Sequence, residues 1–167
     1  PSSVSDLDVL TGIQDLNDAF SKSGNYSASL GADTKIRFCL SKKAPDGGIT
    51  TGITRTTSFL GDDHNMDTEE DQLKNLIQWD PVRYINIWLV SNLHGEIYAD
   101  FSCGGWFRLQ VGGYATMPPG GGATDGIVVG GFGKVLAHEM GHYLGLYHTF
   151  EGGCYNADCL TSGDRVC

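Results

Sequence analysis

The sequence predicts an α+β domain: a twisted mixed β-sheet, a backing helix, and a second helix carrying His-Glu-x-x-His-x-x-Gly-x-x-His. Three observations lead there. An apolar stripe of helical period opens the chain, short β-branched or alternating runs follow it, and a second helical stripe coincides with a histidine cluster near residue 140. At 167 residues the chain suits one domain with a core of its own.

The first element is a helix. Ser5 and Asp6 bring capping chemistry, and Leu7, Leu10, Ile13, Leu16 and Phe20 recur at three and four residues until Ser23-Gly24-Asn25 stops them. Ile36 to Leu40 alternates like a strand, Pro45-Asp46-Gly47-Gly48 is a turn, and threonine-rich Ile53 to Leu60 reads as a second strand. Gly61 to Asp71 holds six acids and one histidine, but Thr68 stands where a calcium loop needs glycine and Lys74 where it ends in glutamate. It reads as a solvated acidic loop.

Tyr84 to Val90 is the strongest strand signal, nearly all apolar or β-branched, and is expected at the sheet centre. Gly113 to Met117 is a short strand that Pro118-Pro119 places at an edge. Asp125 to Val129 is another strand. A helix from Gly133 to Leu144 then turns Val135, Leu136, Met140 and Leu144 inward.

Charge narrows the partners. Eleven Lys and Arg against 20 Asp and Glu give a net charge of −9, which argues against nucleic acid and against an anionic membrane surface. No apolar run nears the ~20 residues of a membrane-spanning helix. The five cysteines, Cys39, Cys103, Cys154, Cys159 and Cys167, leave at least one without an internal partner and point to an oxidising, extracellular setting. The opening at Pro1 reads as a processed or excised segment.

Chemistry concentrates in His138 to His148. His138 and His142 are four residues apart, about 400° of rotation and about 6 Å of rise, so both rings face one cleft and can share an ion. Glu139 is turned about 100° from His138 and flanks that point. His148 would face away on a continued helix, so the chain must break and return, and Gly145 is placed to do so. Three imidazoles on one side of a zinc ion leave a position for water, the mark of a catalytic site. Two other readings stay open: a structural zinc site closed by Cys154 or Cys159, and a helix with incidental histidines. The glycines near Lys134 do not make a phosphate loop, because Val135 stands where Ser or Thr must hold magnesium. His64 and His94 sit in loop-like contexts and read as surface residues.

The stretch from His138 to His148 resembles the zinc motif of metzincin metallopeptidases. Its flanks narrow the likeness: Ile36-Arg37-Phe38-Cys39-Leu40, Gly52-Ile53-Thr54-Arg55, Tyr84-Ile85-Asn86-Ile87-Trp88, Gly113-Tyr114-Ala115-Thr116-Met117-Pro118, His148-Thr149-Phe150 and Gly163-Asp164 resemble the pappalysin family, particularly its small ulilysin-like members. The resemblance implies the α/β-type metzincin catalytic domain and a secreted zinc endopeptidase acting on proteins or peptides. His138, His142 and His148 would ligate zinc, and Glu139 would be general base and acid. Gly113, Tyr114, Ala115, Thr116 and Met117 would form the cleft rim that pairs with substrate, and Asp164 resembles a ligand of a structural calcium ion. A Cys39–Cys103 pair is the internal disulfide expected beside it.

None of Met66, Met117 and Met140 follows His148, where metzincins place a methionine turn. Residues 1–167 are therefore expected to be mainly the N-terminal subdomain of the catalytic domain, with the first sheet strand and the C-terminal subdomain outside them. An inactive metzincin-fold binding module is the rival from another class.

Overall fold

The computed structural model describes residues 4–100, 105–120 and 122–148, with the backbone alone over 96–100 and 105–109. The helices are α1 (Asp6–Ser21), α2 (Glu70–Lys74) and α3 (Lys134–Tyr143). The strands are β1 (His64–Asn65), β2 (Ile87–Leu89), β3 (Leu93–Asp100), β4 (Gly105–Gln110), β5 (Gly113–Ala115) and β6 (Ile127–Val129). They form two mixed sheets, ordered β1-β3-β4 and β2-β6-β5, each with one parallel and one antiparallel pairing. No helix among the described residues is long and apolar enough to cross a membrane.

α1 starts where capping chemistry was expected, in a reciprocal box. The Asp8 amide donates to Ser5 Oγ at 3.2 Å, and the Ser5 amide donates to Asp8 Oδ2 at 2.8 Å. The Ser5 hydroxyl also donates to Asp8 Oδ2 at 2.7 Å, and that bond, with the one from the Ser5 amide, holds the Asp8 carboxyl below its ordinary pKa. The buried stripe is narrower than predicted. Leu7 and Leu10 are exposed, because α1 meets α3 and the sheet through its later turns, where Gly12 and Leu16 are buried.

β6 is the centre of the second sheet. Ile127 and Val129 face the helices, in a cluster with Leu16, Leu136 and Met140. Val128 faces the other way, among Leu60, Leu73, Trp88, Val90 and Leu93. That alternation is the pleat, and all three residues are fully buried. Among the described residues β2 pairs with β6 alone, so there the Tyr84–Val90 strand lies at the margin of its sheet and not at the centre. β5 takes the opposite edge, as its following prolines required.

Two predicted strands do not form. At Ile36–Leu40, the side chain of Asn17 takes both backbone groups of Phe38: its Nδ2 donates to the Phe38 carbonyl at 2.8 Å, and the Phe38 amide donates to its Oδ1 at 2.7 Å. At Ile53–Leu60, the hydroxyls of Thr50, Thr51 and Ser58 accept from the amides two residues on, a local alternative to a sheet ladder. The segment ends in a turn of 3-10 helix at Phe59–Gly61.

The acidic stretch is more than a solvated loop. β1 crosses it and pairs in parallel with β3. His64 is fully buried there and His94 almost so, which corrects both surface assignments. Leu144 is exposed because it caps α3 rather than belonging to it. Cys39 is exposed and forms no disulfide among the described residues. Cys103, the other cysteines and Asp164 lie outside them, and so does the calcium assignment.

Candidate metal centre and cleft

α3 places His138 and His142 one turn apart on the face toward the cleft. Its end brings the third histidine back. Gly145 adopts φ +95°, a backbone that favours glycine. Its amide donates to the His142 carbonyl at 2.8 Å, and the Leu146 amide donates to the Gly141 carbonyl at 2.9 Å. These two bonds are the Schellman termination, which satisfies the last carbonyls and reverses the chain. His148 then reaches the pair: the Nε2 atoms are 3.0 Å apart for His138–His142, 3.1 Å for His142–His148 and 3.2 Å for His138–His148.

Such a triangle needs a cation. A ring nitrogen is either a donor or an acceptor, so at least two of three share a role and repel at this distance. The His142 tautomer is fixed by its other nitrogen: Nδ1 is 2.7 Å from the Leu146 carbonyl, which can only accept, so Nδ1 carries the proton and a neutral ring offers its lone pair at Nε2. Ligand atoms at zinc–imidazole distances under a near-tetrahedral angle stand roughly 3.3 Å apart, close to the spacing seen. No other group of three or more His, Cys, Asp or Glu side chains among the described residues converges in this way. The residues present therefore fit a divalent metal with nitrogen preference. Burial, and then the neighbouring His142 and His148, lower the His138 pKa, which favours the lone-pair form a metal requires.

The cluster opens on a cleft of about 840 Å³ between α3 and β5. Glu139 lines it, only 6% exposed, and burial raises its pKa against the opposing pull of His142 and His148. Gly113, Tyr114, Ala115 and Met117 line the opposite side; Thr116 does not, because its hydroxyl donates to the Thr124 carbonyl. Tyr114 turns its ring out of the cleft. Its hydroxyl lies 3.0 Å from His64 Nε2, and Lys74 Nζ stands 5.1 Å from its ring centroid. Burial pushes the Tyr114 hydroxyl pKa up and the His64 pKa down.

Sequence reasoning missed this anchor behind the rim, since it joins β1, α2 and β5 from three distant segments. It also missed Tyr147 and Lys134 as cleft residues. Helical period offered the one available signal for Lys134, which lies four residues before His138.

Comparison with known proteins bears on the same residues. The family model described as pregnancy-associated plasma protein-A, a peptidase family, matches residues 67–167. The chain is 27% identical over 140 residues to an extracellular metalloprotease of Pyricularia oryzae, covering 80% of this chain and 48% of that protein. It is 26% identical over 126 residues to an extracellular metalloprotease of Colletotrichum graminicola, covering 71% and 42%. It thus spans about half the length of these curated relatives. Human pappalysin-1 is 28% identical over 105 residues, 61% of this chain and 6% of that protein. Among solved structures, mature mirolysin of Tannerella forsythia in complex with a cleaved peptide superposes with a TM-score of 0.68 at 27% identity, over 96% of this chain and 66% of the other.

Proposed function

The chain belongs to the pregnancy-associated plasma protein-A (pappalysin) family of metallopeptidases, and we propose that it is the zinc-binding, substrate-facing part of a secreted endopeptidase. The observation that carries this is the meeting of three Nε2 atoms at one edge of a cleft whose other wall is an edge strand. His138, His142 and His148 would hold zinc through Nε2. Zinc so held supplies Lewis acidity, activating water and polarising the scissile carbonyl.

Glu139 takes the proton from the attacking water and returns it to the leaving amine nitrogen. β5 holds the substrate backbone. Just outside the two strands the Gly130 amide donates to the Gly112 carbonyl and the Thr116 amide to the Gly126 carbonyl, which puts the inward bonds toward β6 at the even-numbered positions along β5. By the two-residue alternation of an antiparallel pair, the amides and carbonyls of Gly113 and Ala115 point outward, ready for an added strand. The extracellular names of the fungal relatives support secretion, and the peptide bound to mirolysin supports a polypeptide substrate.

The test is metal content and cleavage together. The purified chain is expected to hold one zinc and to cleave casein, losing both to a chelator and regaining both with zinc. Zinc bound with casein intact would favour the inert binding module; a thiolate ligand in the zinc X-ray absorption spectrum would favour the structural zinc site.

Gly145→Ala tests the return of the chain. A left-handed backbone costs a residue with a Cβ about 1–2 kcal/mol, equivalent to roughly a tenfold weaker hold on zinc. Competition against a chromogenic chelator measures it, and an unchanged affinity would separate His148 from the site.

A further inference from the structure

We infer that Gly113 is the positioning residue for Glu139: its missing side chain is the space in which the glutamate Cγ stands, and that contact aims the carboxylate at the histidine cluster. A Cβ built on Gly113 would lie 2.7 Å from Glu139 Cγ, closer than real Cβ atoms stand to their neighbours. Glycine is not there for its backbone freedom, because Gly113 sits in strand β5 with φ outside the left-handed region. It is there for room. Gly112 repeats the pattern one residue earlier, where a Cβ would meet Val135 Cγ2 at 3.2 Å. Gly113 in the edge strand and Gly112 just before it thus let this segment lie on α3 more closely than side chains allow.

The contact matters because, among the described residues, no hydrogen bond fixes the direction of the glutamate. Its carboxylate has no protein hydrogen bond among the described residues, although Glu139 is buried. A charged end without hydrogen-bond partners takes its direction from the walls around its methylenes, and Gly113 is the wall on the rim side. An alanine there would drive Glu139 into another rotamer, away from the point where the three nitrogens meet.

The name of base for Glu139 rests on the peptidase reading; the packing contact does not. Gly113→Ala is made alone and together with Glu139→Ala, in the full chain. A Cβ at Gly113 would also stand 2.9 Å from the Val128 carbonyl oxygen, so some melting temperature is lost in any case. The expected result is a loss that shrinks by at least half when Glu139 is alanine, since the clashing Cγ is gone. Equal losses in both backgrounds would make Val128 the reason for the glycine and overturn the inference. Should Gly113→Ala alone fail to fold, recovery in the double variant supports the inference and failure of both overturns it. With Glu139 present, Gly113→Ala is expected to keep its zinc and lose about 100-fold in casein turnover, the scale of a 1 Å misplacement, with KM little changed. Native turnover would overturn it. If the unaltered chain cleaves nothing, the peptidase reading falls while the melting comparison still decides the contact.

Discussion

Glu139→Gln is expected to retain zinc and melting temperature while casein turnover falls by about 10²- to 10⁴-fold, the contribution of a positioned proton-transfer group. The amide keeps the volume of the acid, so the space between α3 and Gly113 stays filled. It can donate to a water or hold it by its carbonyl, but it cannot take the proton. Stability should not suffer. The amide is close in shape to the carboxyl it replaces and brings no new charge into the site, so the packing of α3 on β5 is kept. Turnover within tenfold of native would strip Glu139 of its assigned role and return the choice to the inert binding module.

The ligands around the zinc separate the catalytic from the structural reading. A structural site needs a fourth protein ligand, and the cysteines that could supply it, Cys154 and Cys159, lie outside the described residues. The three histidines instead converge on the cleft, with His138 exposed. A site built to be closed has no use for a proton acceptor beside it, whereas Glu139 is adjacent to His138 in sequence and lines the same cavity.

What could be read from sequence alone was local. His138, His142 and Gly145 follow from the pitch of a helix and the left-handed freedom of one glycine, so the site was legible before any fold was known. The capping box of α1 is equally local, closed by residues three apart. The failures are long-range. Phe38 does not join a strand because Asn17, twenty-one residues away, takes both its backbone groups. His64 is buried because β1 pairs with β3, about thirty residues on, and no property of its neighbours announces that. The β3–β4 hairpin went unread since Gly95, Asp100 and Gly105 interrupt its apolar pattern. Tyr84 to Val90 was assigned to the centre on its apolarity. That apolarity reports two covered faces, Trp88 on one and Ile87 with Leu89 on the other, and is silent on how many strands flank it.

Lys74→Ala is expected to destabilise the fold by about 3 kcal/mol, for its stem more than its charge. Lys74 is fully buried. Its Nζ donates to Glu70 Oε1 at 2.6 Å and to the Thr124 carbonyl, and it stands 5.6 Å from the Trp88 ring centroid. Truncation removes most of a four-carbon chain from the core, at about 0.8 kcal/mol for each methylene. Lys74→Met keeps that volume and removes only Nζ. The groups left behind have other recourse: the Glu70 side chain is 37% exposed and can turn to water, and the Thr124 carbonyl keeps the Thr116 hydroxyl as a donor. Replacing a buried charge by an apolar side chain of similar size is often neutral, so Met should cost about 1 kcal/mol or less. Urea unfolding reads both values from the midpoint at constant slope. A methionine variant as weak as the alanine one would mean that Nζ itself ties α2 to the loop before β6. The Lys74 Nζ also stands 5.1 Å from the ring centroid of Tyr114 on the cleft rim. The alanine variant should therefore also loosen β5 and raise KM for casein more than it lowers kcat, while methionine, whose thioether can pack against the ring, raises it less.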